Sequence, residues 1–364
     1  MVRVIEIGHI VAGPTAGLIF SDLGFEVIKV ERPGRGDIAR ELEGSSAGTF
    51  PFFNRNKRSV EIDLRQASGR DEFLELVRGS DVVIDNLGPG AMDALGLGYR
   101  KLREVNPRII YLSIKGYGSG PYEARKSLDF PIEVHSGLAY MTGLNGRPLR
   151  VGASLVDMGA ALFGVIGVLA ALMERERTGE GKFVESALFE TAMFFVGQHI
   201  ATYQVTGREV PPLNEVGFSW GVYDFFRTSD GVDVFVAVTT DEQWKAFCRE
   251  VAPELDREEY KTNAMRHRLR GELIPRISEI VASMPSSELS SRLARANVGF
   301  AELRRPWDLL VDEHARSKMV EVEYGGRSIL VPGIPIGGSR PGRAPALGEG
   351  NGMMGEGKSR AGNV

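Results

Sequence analysis

Cysteine is nearly absent: Cys248 is the only one in 364 residues. A single cysteine excludes an internal disulfide and any thiolate-based zinc site, and it suits a reducing compartment. The five histidines, His9, His135, His199, His267 and His314, lie far apart without metal-ligand spacing, so no metal is expected. Neither sign of charge dominates. Forty-four basic residues against 48 acidic ones leave a net charge of −4, and no basic stripe with interleaved aromatics appears. A nucleic-acid surface is therefore not expected. The apolar stretch from Ala160 to Met173 falls short of the roughly 20 residues that span a bilayer and reads as a core helix. The chain opens directly on a strand pattern, so neither a signal peptide nor a membrane association is expected, and the location implied is cytoplasmic. Internal repeats, a P-loop and a Gly-x-Ser-x-Gly elbow are also missing.

What is present is ordinary globular composition, with hydrophobic residues at 43% and charged residues at 25%, in a chain long enough for two domains. The first 120 or so residues alternate strand and helix signals, the pattern of a parallel sheet with crossover helices. Strands are expected at Val2–Ile7, Phe25–Val30, Val60–Leu64, Asp81–Asp85 and Arg108–Ser113, with helices at Thr15–Leu23, Ser68–Arg78 and part of Met92–Val105. The layout is Rossmann-like, yet Gly8, Gly13 and Gly17 after the first strand are spaced by five and four residues. That spacing does not specify a close backbone approach to a dinucleotide pyrophosphate, and a dehydrogenase is disfavoured. Glu31 ends the second strand where a ribose-binding acid would stand, but Arg32 follows at once, then Arg35, Arg40, Arg55, Lys57 and Arg58. Such a basic set suits phosphate groups or, equally, a solvated loop face.

Beyond a proline-bearing stretch at 207–222 the pattern changes. A hairpin turning at Ser229-Asp230-Gly231 is followed by helical segments, with Ser286 or Ser287 as a helix cap and Val298–Leu303 as a buried strand. Strands at Val320–Glu323 and Ser328–Val331 pair across Tyr324–Arg327, and from Gly337 the chain is too polar and glycine-rich to pack a core of its own. Three acids sit in apolar or glycine-rich settings: Asp85, Asp129 and Asp157. Asp157 opens the long apolar helix. It reads either as a first-turn carboxylate complementing the helix dipole or as a buried nucleophile or base.

Several strings, taken in order, resemble the class III CoA-transferases, the CaiB–BaiF family. They are Gly13-Pro14, Val27–Arg32, Asn54–Leu64, Asp85–Gly90, Asn106–Tyr111, Gly116–Gly118, the Asp157 stretch, Arg177–Lys182, Ser229–Gly231 and Ala344–Asn351. The resemblance implies a Rossmann-like α/β large domain at 1–206, completed by a C-terminal return at 320–364. It also implies a linker at 207–222, a smaller α+β domain at 223–319, and an interlocked homodimer. It places the catalytic aspartate on Asp157. The implied reaction moves CoA from an acyl-CoA thioester to a carboxylic acid through aspartyl anhydride and aspartyl-CoA thioester intermediates. A carboxylate is ionised at neutral pH and needs no partner base for such an attack. Coenzyme A and acyl-CoA are then substrates, with no tightly bound cofactor and no metal.

By the same resemblance Arg32, Ile62, Arg65, Asn86 and Leu87 stand at CoA-wall positions, and backbone at Val11 and Ala12 borders the pantetheine arm. Formyl-CoA transferase-like members carry glutamine where Val11 stands, an arginine–methionine pair at Ala94-Leu95, tyrosine at Asp129 and a glycine run at Asn214–Trp220. Formate and oxalate are therefore not expected substrates. The alternatives are an α-methylacyl-CoA racemase (epimerase) and a non-catalytic CoA-binding paralogue. A racemase needs a paired histidine and aspartate, and its histidine falls where this chain has Leu128. Trp220, Phe218, Tyr140 and Met141 are candidates for shaping the acyl pocket.

Overall fold

The structure, a computed structural model, describes residues 2–216 and 219–352. The chain divides into two compact units: Met1–Thr142 with Gly146–Val210 and Glu313–Val364, and Gly143–Asn145 with Pro211–Asp312.

In the first unit, β1 (Arg3–Ile7), β2 (Glu26–Glu31), β3 (Arg58–Glu61), β4 (Val82–Asp85), β5 (Ile110–Lys115) and β6 (Phe183–Ala187) form one sheet. Its order is β3-β2-β1-β4-β5-β6, and every neighbouring pair is parallel. Both faces are covered, which explains the nearly continuous apolar runs in these strands. Val4, Val27, Val82 and Leu112 face one side, against the helices Ala12–Asp22 and Leu155–Thr178. Ile5, Ile28, Val83 and Tyr111 face the other, against the helix Ala67–Arg78. The long helix can approach β5 closely because Gly164 carries no side chain: a Cβ there would lie 2.9 Å from a Leu112 methyl.

That helix is longer than the apolar stretch suggested. At 24 residues, with a mean hydropathy of 2.2 in its most apolar window, it has the length and composition of a membrane span. One face packs on the sheet, while Leu162, Phe163, Ile166 and Met173 on it are exposed.

The hairpin of β10 (Met319–Tyr324) and β11 (Arg327–Pro332) also belongs to the first unit. The second unit holds β7 (Val222–Arg227), β8 (Asp233–Val238) and β9 (Gly299–Glu302), an antiparallel sheet in the order β7-β8-β9. Its core gathers Trp244, Phe247, Leu273, Ile277 and Leu289 from three helices. Two expectations are corrected here. β9 is an edge strand with alternating half-buried and exposed residues rather than a buried one, because only β8 pairs with it. The helix Ser286–Arg295 has no serine cap; Asp230 in the preceding hairpin turn accepts the Ser286 amide at 3.0 Å and its hydroxyl at 2.9 Å.

Back in the first unit, β10 and β11 pair in register across Gly325 and Gly326, whose φ values of +56° and +74° are those of a tight hairpin turn. The tail beyond them does not float: β12 (Gly342–Arg343) runs parallel to β10. Further on, Arg40 donates to the Pro345 carbonyl, Gly348 N to Ser59 Oγ, and Asn351 Oδ1 accepts the Glu61 amide.

Beneath the C-terminal ends of β1 and β2 lies a buried charge network. Glu6 accepts from Lys29 Nζ at 2.7 Å and from Lys57 Nζ at 2.5 Å, and all three side chains are fully buried. Lys29 also reaches Asp37 at 2.9 Å and the Gly8 carbonyl at 2.9 Å; Lys57 donates to the Pro14 carbonyl at 2.9 Å. Burial pulls Lys57 down to about 8 against the attraction of Glu6. Removing Glu6 would leave the buried Lys57 ammonium without a carboxylate and Lys29 with Asp37 alone. Glu6→Ala is expected to cost about 3–5 kcal/mol, read as a lowered urea midpoint; an unchanged midpoint would refute the structural role.

Candidate active site

The strand order reverses between β1 and β4, and in such sheets ligands bind in the crevice outside the carboxyl ends of the strands at that reversal. A cavity of about 260 Å³ opens there, with Ile7, His9, Arg32, Ile62, Arg65 and Leu87 among its lining residues. Four of the seven expected CoA-binding residues, Arg32, Ile62, Arg65 and Leu87, thus meet at one cavity. Arg32 and Arg65 are exposed on its wall, and the Arg65 guanidinium, bound to Asp63 at 2.9 Å, holds the Asp63 carboxyl below its ordinary range.

The rest of the basic set divides by partner. Arg35 lines the cavity but pairs with Glu41 at 2.9 Å. Arg40 is bound by Glu31 at 2.7 Å and lies over the Phe50 ring. Arg55 is buried against Asp22 at 2.5 Å, Lys57 serves Glu6, and Arg58 pairs with Glu26 at 2.9 Å. Glu31 is equally committed, since Arg40, Ser59 and the Asp37 amide all donate to it. It is not a free ribose-binding acid. Asp85 accepts from Tyr111, Lys115 and the Leu87 amide, in keeping with a role in the fold.

The remaining three expected residues, Val11, Ala12 and Asn86, do not line this cavity but build the loop beside it. Asn86 Oδ1 accepts the His9 amide at 2.9 Å, and its Nδ2 donates back to the His9 carbonyl at 3.3 Å, bracing the crevice. Ile10 sits at φ +64°, an unusual conformation for a β-branched residue, with its amide on Asp37 Oδ1 at 3.1 Å. Val11 then packs with Leu18, Phe53 and Met158. Met158 follows Asp157, so the loop after β1 and the start of the long helix share one apolar cluster.

Asp157 is the third residue of the helix Leu155–Thr178, and Ser154 before it makes no side-chain cap. The cap comes from elsewhere: Asp129 Oδ1 accepts the amides of Val156 and Asp157, each at 3.1 Å. Asp129 Oδ2 in turn binds Arg150 Nη2 at 3.1 Å. A first-turn acid ordinarily takes such amides itself. Here the job is done by another carboxylate, and among the described residues nothing donates a hydrogen bond to the half-buried Asp157 side chain. Burial and then the Asp129 charge push Asp157 up to about 7, with Arg150 pulling the other way. A half-buried carboxyl left without a donor, in a site otherwise hydrogen-bonded, is placed to react.

Against Asp129, Glu133 is fully buried and accepts the Val151 amide at 2.9 Å. Glu133 and Arg150 were not among the residues expected from sequence. The signal that points to Glu133 is its spacing of four from Asp129, which puts both acids on one face of the helix Asp129–Ser136. Leu128 is exposed, and His135 is engaged through Nδ1 with the Tyr117 hydroxyl at 2.9 Å inside an aromatic nest of Tyr117, Tyr122 and Phe189. Tyr140 and Met141 line a separate open cavity of about 520 Å³ with His199 and Tyr203. Trp220 packs on Tyr223 in the second unit, and Phe218 lies outside the described residues. No cluster of potential metal ligands occurs among the described residues.

Comparison with known proteins decides the family. The model of CoA-transferase family III matches residues 1–351. The chain belongs to that family. This class III CoA-transferase is 34% identical over 361 residues to the succinyl-CoA–L-malate CoA-transferase alpha subunit of Chloroflexus aurantiacus, covering 95% of the chain and 84% of the relative. It is 32% identical over 371 residues to the succinyl-CoA:mesaconate CoA-transferase of Haloarcula marismortui, covering 95% and 93%. In structure it resembles a CaiB/BaiF family protein from Brucella suis, with a TM-score of 0.85, 29% identity and 97% of each chain covered.

The raised Asp157 carboxyl has a consequence for stability. An unfolded aspartate titrates near 3.9, whereas the folded group holds its proton up to about 7. Between those values the folded state binds more protons, so the contribution of Asp157 to stability is greatest at low pH and is lost as pH rises through the folded value. Asp157→Asn is therefore expected to stabilise the transferase at pH 8 by about 1–2 kcal/mol, with the gain shrinking toward pH 4. Urea melts at several pH values check this; a destabilised variant at pH 8 contradicts it.

Proposed function

We propose that this class III CoA-transferase moves CoA from an acyl-CoA thioester to a carboxylic acid with Asp157 as the nucleophile. The observation that carries the reading is the Asp157 carboxylate itself, half-buried, without a donor among the described residues, and relieved of capping by Asp129. Its attack on the thioester carbonyl expels CoA thiolate and forms an aspartyl anhydride; the thiolate returns to give an aspartyl-CoA thioester and releases the donor acid. The acceptor carboxylate then repeats the sequence in reverse. Thiolate departure is reasonable for a thiol whose pKa is about 8.5. The amides at the start of the long helix are taken by Asp129, so they do not serve the oxyanion. First-turn amides of the helix Ala12–Asp22, next to the Val11–Met158 contact, are better placed for it.

Arg32 and Arg65 on the cavity wall take the phosphates of CoA, with Ile62 and Leu87 as apolar wall. Asn86, Val11 and Ala12 act by shaping the loop that the pantetheine arm passes. The relatives named for succinyl-CoA suggest a dicarboxylic donor. Arg150, half exposed and close enough to act on Asp157, suits the distal carboxylate of such a group. The exposed Leu162, Phe163, Ile166 and Phe194 suit burial against a second copy in an interlocked dimer. A reducing, cytoplasmic setting fits Cys248, a buried thiol pushed up to about 12 by burial.

Incubation with succinyl-CoA and hydroxylamine, followed by peptide mass spectrometry, is expected to label Asp157. Exchange of the α-proton without a label would overturn transfer in favour of racemisation, and neither signal would leave a CoA-binding protein. Arg32→Ala is expected to raise the KM for acyl-CoA about 10-fold or more with kcat little changed, as for loss of one charge-assisted phosphate contact. An equal fall in kcat would place Arg32 elsewhere in the reaction.

A further inference from the structure

The reaction proposed for Asp157 makes no use of Glu133, although this acid is among the most deeply buried of the chain. Its Oε2 accepts the Val151 amide. Its Oε1 is buried and meets no donor. The group lying against it is the Asp129 carboxyl, which already takes two amides on Oδ1 and Arg150 on Oδ2. Two ionised carboxylates are both acceptors and repel. A proton between them turns that contact into a hydrogen bond.

We propose that Glu133 is a neutral carboxyl whose Oε1–H donates to Asp129, and that this proton positions Asp157. The inference rests on Asp157 being the nucleophile. Through it, three segments are tied by a single proton: the helix Asp129–Ser136, the Val151 turn, and the start of the long helix. Charge counting supports the assignment. The groups that act on Glu133 are Asp129 from its own helix and Arg150 from the preceding loop of the long helix, and the same two act on Asp157 from that helix. Glu190 on the helix Leu188–Thr206 is occupied by the Gly118 amide, and His135 by Tyr117. An ionised Glu133 would set three carboxylates against one guanidinium in a desolvated pocket; a neutral one leaves two. Burial, with Asp129 adding to it, lifts Glu133 to about 7. Glu133 is thus a positioning residue, touching neither substrate nor the reacting atoms.

The isosteric amide makes the idea testable, because glutamine can donate to Asp129 and accept from Val151 without titrating. Glu133→Gln is expected to keep kcat within about threefold of wild type at neutral pH. Glu133→Ala removes both bonds and is expected to lower kcat on the order of 10–100-fold, with the KM for acyl-CoA within about twofold. In wild type, ionisation of Asp157 should raise kcat and ionisation of Glu133 should lower it; Glu133→Gln should keep the rise and lose the decline. A Gln variant as impaired as the Ala variant, an Ala variant with full kcat, or an alkaline decline that survives in Glu133→Gln would each overturn the proposal. A second readout does not depend on turnover. In an Asp157→Asn background, the infrared carbonyl band of a protonated carboxyl should be present near neutral pH and vanish on adding Glu133→Gln; no difference would overturn the neutral Glu133. Hydroxylamine labelling of wild-type Asp157 is scored separately, so its absence removes the nucleophile while the infrared band still decides the proton.

Discussion

The ion network of Glu6, Lys29, Lys57 and Asp37 is the constraint on which the rest of the first unit depends. It sits where β1 and β2 end and ties down the segment that follows β1: Lys29 donates to the Gly8 carbonyl, Lys57 donates to the Pro14 carbonyl, and Asp37 accepts the Ile10 amide. Buried charges of this kind are poor contributors to net stability unless every partner is in place. Their value here is geometric. They hold Ile10 in a left-handed conformation and thereby deliver Val11 to the cluster that includes Met158. The cavity at the strand-order reversal and Asp157 are brought to one loop by a network of which Asp37 alone lines the cavity.

A similar division of labour governs the start of the long helix. The first-turn amides need an acceptor, and Asp129 supplies it from a different helix, so that Asp157 is not consumed by the helix it opens. Asp157 is left half-buried, lifted toward neutrality and open to an electrophile. The two acids have opposite tasks because of their partners rather than their chemistry. One is saturated with hydrogen bonds; the other has none among the described residues.

Much of this was legible in the sequence. The alternation of apolar strands with amphipathic helices announces a parallel sheet, and all five expected strands occur, shifted by up to three residues at their ends, with β6 as a sixth. Asp157 stands out because a lone acid at the head of so apolar a segment is conspicuous. What could not be read is pairing at a distance. The basic run from Arg32 to Arg58 looks like one phosphate-seeking patch, yet the members after Arg32 are divided among Glu6, Asp22, Glu26, Glu31 and Glu41, none of which sequence spacing identifies as a partner. β9 reads as a buried strand because its residues are apolar, whereas its exposure is set by having a neighbour on one side only. Glu133 looks like one more helical acid until the Val151 amide is seen against it.

The route of the chain has a consequence for the order in which it is made. The six-stranded sheet is complete once Ala187 has been synthesised, but its β3 flank is closed only by residues near 340–351, after the whole second unit has emerged. For that interval Ser59 and Glu61 present unpaired edge groups on a nascent chain. Edge strands in this condition recruit whatever extended segment is nearest. The polar, glycine-rich character of the closing segment then acquires a kinetic meaning: it can be displaced and rethreaded without carrying a sticky core of its own, so that late closure does not become misassembly.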